Sequence, residues 1–126
     1  MMTEQIKARV AKIARQMPNG FTFNPFSNRF PSCGYVVASA QTQDCFGKSG
    51  LFRVIKFCLS HRNYCVGGWK NEDGSMQYDA SMVYTDIQDA INAAISNGQR
   101  AIFNLYTGQE IMACDYDKYA SCAFAA

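Results

Sequence analysis

Few side chains in this 126-residue chain have the chemistry of a nucleophile, a base or a metal ligand: six cysteines, one histidine and ten acids. The histidine, His61, has Cys65 four residues away, the nearest approach to a Cys/His nucleophile pair. The two straddle a predicted helix-to-strand turn, where His61 has a simpler role beside Arg62, favouring the helix dipole. Asp86/Asp89 and Asp115/Asp117 are spaced acids, but the first pair falls in a predicted first helical turn, where acids stabilise the dipole unaided. No P-loop, G-x-S-x-G or H-E-x-x-H is present. No catalytic constellation assembles, so the sequence predicts a non-enzymatic protein with no cofactor.

Cys33, Cys45, Cys58, Cys65, Cys114 and Cys122 are even in number, the count a disulfide framework would need. Cys58 and Cys65, however, sit inside apolar patterns, where a thiol behaves as a small hydrophobe. No C-x-x-C and no zinc-finger spacing occurs. With no signal-type apolar region and no run long enough to span a bilayer, the expectation is a reduced protein in a bacterial cytoplasm, away from membranes.

The elements that must position any site follow from periodicity. Residues 3–17 read as an amphipathic helix, with Ile6, Val10, Ile13 and Met17 on one face and Pro18-Asn19-Gly20 ending it. Residues 20–33 hold Phe21, Phe23, Phe26 and Phe30, enough to pin a loop or a short edge strand before Pro25 onto the core. Residues 34–40 are a strand apolar on both faces, which a front helix or a second subunit would cover, making a homodimer plausible. A second helix spans 49–61, with Leu51, Val54, Ile55, Cys58 and Leu59 inward. Strands at 64–70 and 75–84 flank the turn Asn71-Glu72-Asp73-Gly74. A third helix, capped by Thr85 or Asp86, carries the stripe Ile87, Ala90, Ile91, Ala94 and Ile95 and stops at Asn97-Gly98. A last strand covers 100–106.

Strand–helix–strand–strand–helix–strand after a front helix is the order of an α+β, ferredoxin-like split β-α-β-β-α-β antiparallel sheet. The whole of 1–126 reads as one domain: helix and aromatic loop at 1–33, α+β core at 34–111, tail at 112–126. The tail's last residues, Ala120 to Ala126, resemble the Ala-Ala-ending tags read by bacterial unfoldase proteases, with a packed tail as the alternative.

Net charge is only +2, yet it is unevenly placed. Residues 1–70 carry ten Lys/Arg against Glu4 and Asp44, a balance of +8; residues 71–126 carry Arg100 and Lys118 against eight acids, a balance of −6. Either folding segregates a basic face, with Lys48, Arg53, Lys56 and Arg62 among its members, or it interleaves the two halves. RNA recognition in the manner of an RNA-recognition motif is disfavoured, because SMQYDASMVYT lacks the basic-glycine-aromatic start and its aromatics share the predicted core face.

The least ordinary cluster is polar and loop-borne. Gln41-Thr42-Gln43-Asp44 leaves the first core strand toward Phe46, and Gly67-Gly68 precedes Trp69, the one tryptophan. Loop polar groups beside an aromatic platform suit a binding site; a bulge at the glycines and simple helix capping are the alternative. The run from Gly34 through Gln43-Asp44-Cys45-Phe46-Gly47 to Leu51, then Gly67-Gly68-Trp69 and Tyr78-Asp79, then Asn97 to Ile111, resembles small uncharacterised proteins of bacteriophages and other mobile elements. The resemblance covers about residues 34–111 and implies an accessory protein acting by binding. It therefore suggests a modulator or inhibitor of a host defence protein, with Gln41, Thr42, Gln43, Asp44, Phe46, Trp69, Tyr78 and Asp79 as ligand- or partner-binding residues. Two alternatives stay open: sequestration of a small signal nucleotide, and nucleic-acid binding through the basic front half.

Overall fold

A computed structural model describes residues 2–119. The predicted degradation tag at Ala120–Ala126 and Cys122 lie outside the described residues. Helix α1 (Met2–Gln16) leads into strand β1 (Gly20–Phe23), then β2 (Tyr35–Ala38), a 3-10 turn at Ala40–Thr42, and the two-residue β3 (Cys45–Phe46). Helix α2 (Gly47–Ser60), β4 (Tyr64–Lys70), β5 (Met76–Tyr84), α3 (Ile87–Ser96), β6 (Ala101–Asn104) and β7 (Gln109–Met112) complete the order.

The strands form one antiparallel sheet, ordered β1-β4-β5-β2-β6-β7 with β3 also paired to β5, and curled into a half-barrel. The expected ferredoxin-like arrangement is thus incorrect. The four expected strands exist, but as the interior of a longer sheet: β1 extends it beyond β4, and β7 extends it beyond β6. β1 is the short edge strand before Pro25, one of the two readings of that aromatic stretch; short length hid β7, where only Ile111 is buried, too little to show an alternation.

Strand β5 is the spine. It pairs with β4 along seven positions, from Lys70 opposite Met76 to Tyr64 opposite Met82. On its other edge β2 pairs with residues 81–84 and β3 with 77–78. Between them the chain leaves the sheet at Ser39, whose N–H bonds the Ala80 carbonyl at 2.8 Å, and returns at Cys45 opposite Tyr78. The excursion deprives the buried Ala80 N–H of a ladder partner. The Thr42 hydroxyl substitutes, accepting from that N–H at 2.9 Å and donating to the Ser39 carbonyl at 3.4 Å.

Alternation along β5 sorts side chains to two faces. Tyr78 and Ala80, with Val66 of β4 and Phe21 and Phe23 of β1, pack under α1 and α2 in one core. Val37, Ile102 and Ile111 lie on this same face and pack under α3 with Tyr116 in a second core. Helix α1 rests on β1 and α2, not over β2 as its two-sided apolarity suggested. Asp86 caps α3, accepting from Gln88 and Asp89 N–H. Ile95, expected inward, is 63% exposed: at about 100° per residue it falls at the edge of the stripe set by Ala90, Ile91 and Ala94.

Replacing Thr42 by Val keeps the shape but leaves the buried Ala80 N–H without an acceptor. The expected loss, read by urea unfolding, is about 1–3 kcal/mol, with Thr42→Ser close to wild type.

Candidate functional site

The described helices all pack on one face of the sheet, and among the described residues no helix lies on the opposite face. Across its β1–β3 end the register aligns Gly20, Trp69, Gln77 and Phe46 in one row. The next row along the strands aligns Thr22, Gly67 and Asp79, and the one after it places Cys65 opposite Ser81. Toward the other end, Val36 joins Val83 on one side and Phe103 on the other, and Met112 follows on β7. Phe46 and Trp69 occupy strands on either side of β5, so their Cα atoms stand about 10 Å apart, two strand spacings, with Gln77 between.

Asp79 is the chemical centre of this face. Its carboxylate lies over Gly67, where any Cβ would collide with it, so this glycine is required for close approach. Gly68 serves the other face in the same way, leaving room for the Phe21 ring. The Ser81 hydroxyl donates to Asp79 Oδ1 at 2.6 Å. Burial raises the Asp79 pKa above the ordinary aspartate value, and the Ser81 hydroxyl and the nearby Trp69 indole N–H offset only part of that rise. The segment 40–44 occupies the stretch of the β5 edge opposite Asp79, ending at Asp44 in a left-handed conformation (φ 58°).

Of the sequence-derived binding residues, Phe46, Trp69 and Asp79 come together on this face, and Gln41, Gln43 and Asp44 are exposed in the neighbouring segment. Thr42 is buried and serves the backbone of β5. Tyr78 does not join them: one residue from Asp79, it points through to the helix side and packs beside Phe21, ring centroids 6.4 Å apart. Lys48, Arg53 and Lys56 lie on α2, and Arg62 in the turn after it, all exposed. Sequence reading missed Gln77 and Ser81. The period-two signal in β5 was available to find them, since both share Asp79's parity.

The nucleophile candidates separate. His61 stacks on Phe57 with ring centroids 4.1 Å apart, and its Nδ1 bonds the Phe57 carbonyl at 3.0 Å. Cys65 is buried, and burial pushes its thiol up to about 11; Cys58, on the buried side of α2, is pushed up to about 12 by burial first and by Cys65 and Asp79 second. Both therefore stay protonated, weakly nucleophilic thiols at neutral pH. Among the described residues no group of three or more His, Cys, Asp or Glu side chains converges as a metal site. Two open clefts of about 230 and 300 Å³ share Tyr35 and Asn104 at the β2–β6 end, away from Asp79. There Asn104 is already committed to the β6–β7 turn, accepting from Tyr106 and Thr107 N–H.

Comparison with protein-family models, curated proteins and solved structures gives no match to the chain.

The burial of Asp79 makes a pH prediction. Below the ordinary aspartate value of 3.8, Asp79 is protonated folded and unfolded, and it costs nothing. As pH rises past that value the unfolded chain ionises first, so this group's contribution falls until the raised folded pKa is reached. Asp79→Asn, which keeps an oxygen for Ser81, is expected to remove that fall. Its stability relative to wild type should increase across the acid range and level off above it. Parallel pH–stability curves for the two proteins would show that Asp79 is not desolvated.

Proposed function

We propose that the protein is a non-enzymatic binding protein, an accessory factor of phage or mobile-element type that modulates a host protein by docking on the helix-free face of its sheet. The observation that carries this reading is the exposure of large apolar side chains there. Trp69 is 46% exposed, Phe46 44%, Met112 43% and Phe103 39%, on the face away from the described helices. Aromatic anchors of this kind dominate protein interfaces, and a patch of them is a usual mark of one.

Asp79 sets a condition on the partner. A docking surface that excludes water from this carboxylate leaves a buried charge unless it brings a cation or a hydrogen-bond donor, or unless the carboxyl takes up a proton. The favoured partner surface is therefore apolar at its rim and carries a Lys, an Arg or an amide at the position facing Asp79. Among its described residues the chain has no helix long and apolar enough to cross a membrane.

Affinity capture from host lysate with wild type, Trp69→Ala and Phe46→Ala tests the reading. One protein retained in stoichiometric amount by wild type, and lost at least tenfold with either variant, is expected, since each anchor is worth about 2 kcal/mol or more. Retention unchanged by both variants would place the interface elsewhere. A nucleotide that raises the melting temperature and is lost with Trp69→Ala would replace the reading with sequestration of a small molecule.

A further inference from the structure

The uneven charge of the sequence resolves into a surface. Helix α1 carries Lys7, Arg9, Lys12 and Arg15 against the single acid Glu4, and α2 carries Lys48, Arg53 and Lys56 with no acid. The two helices pack against each other and against the helix side of the sheet. Lys7 reaches across from α1 to α2, its Nζ 5.0 Å from the centre of the Phe52 ring. All of these cations are exposed except the partly buried Lys7. Within 4.0 Å none of them meets an acid: the one ion pair among the described residues is Lys118–Asp115. Arg9 bonds Asn28 Oδ1 at 2.7 Å, which orients its guanidinium without neutralising it.

We infer that this α1–α2 layer is a second interaction surface, on the opposite side of the sheet from Trp69 and Asp79, and that it takes the phosphate backbone of a nucleic-acid duplex. An unneutralised positive layer attracts a polyanion by releasing its condensed counterions, with no base contact required. A membrane surface fits less well. An interfacial helix inserts its apolar face into lipid, whereas Ile6, Val10 and Ile13 of α1 and Leu51, Val54 and Ile55 of α2 are already buried in the core. The surface is independent of the docking face proposed above, and either can fail without the other.

Fluorescence anisotropy with a labelled DNA duplex of about 20 base pairs, titrated at several salt concentrations, tests the inference. Binding is expected at low salt, with log K falling linearly in log salt and a slope near −4.5 for about five phosphates contacted. Arg15→Gln/Arg53→Gln/Lys56→Gln should flatten that slope by about 2.7, roughly 0.9 for each lost charge. The charge-keeping Arg15→Lys/Arg53→Lys/Lys56→Arg protein should bind like wild type, and unchanged thermal unfolding of both variants shows that neither effect is misfolding. Absence of duplex binding at low salt would overturn the inference. So would binding that survives the neutralising variant, or binding to phosphatidylserine-containing vesicles in place of DNA.

Discussion

The register of β5 against β4 is the constraint on which the rest depends. A strand's side chains alternate with a period of two, so a slip of one residue would exchange its faces. Tyr78 and Ala80 would leave the core beneath α2, and Asp79 would enter it, still beside Ser81 of its own strand but without Trp69 of β4. The register is held from several directions at once. The Asn71–Gly74 turn closes the hairpin through Asn71 N–H to Ser75 O and Gly74 N–H to Asn71 O. Gly67 admits the Asp79 carboxylate and Gly68 admits the Phe21 ring, two opposite faces fixed by adjacent glycines. Thr42 then ties the far edge of β5 to the chain that leaves and rejoins it.

That arrangement yields a molecule with two chemically different sides. One carries two cores and a helical layer whose outer surface is basic. The other is a sheet face with Trp69 and Phe46 near one desolvated acid and Phe103 and Met112 toward its other end. Phe103 and the exposed part of the Trp69 ring add nothing to the core, and a carboxylate whose pKa burial has raised weakens rather than strengthens the fold at neutral pH. Features that cost stability without serving the core are where binding chemistry is found.

Much of this was legible from the residues alone. The three helices and the four interior strands follow from periodicity, and the Asn71–Gly74 turn and the Asp86 cap from local turn and capping chemistry. Of the edge strands, β1 was legible only as one of two readings, a loop or a short strand before Pro25; β7 was not, because a four-residue strand with one buried position leaves too few alternations to read, and the two-residue β3 leaves none. The ferredoxin-like expectation failed for that reason: it assigned the whole sheet from its longest members. At the site, Trp69, Phe46 and Asp79 stood out by type and by their neighbouring glycines, while Tyr78 was grouped with Asp79 by adjacency although adjacent strand residues face opposite ways. Thr42 looked like a ligand group because it is polar and loop-borne. Only its distance to the Ala80 N–H reveals a backbone role.

Because Trp69 is the chain's one tryptophan, it reports directly on whether the bare sheet face is a docking surface. Acrylamide quenching of its fluorescence, measured on the protein alone over a range of concentrations and then in complex with the captured host partner, is the decisive measurement. The account predicts an indole that is accessible in the free protein and shielded in the complex. An indole shielded in the free protein at all concentrations, or one quenched equally in the complex, would contradict it.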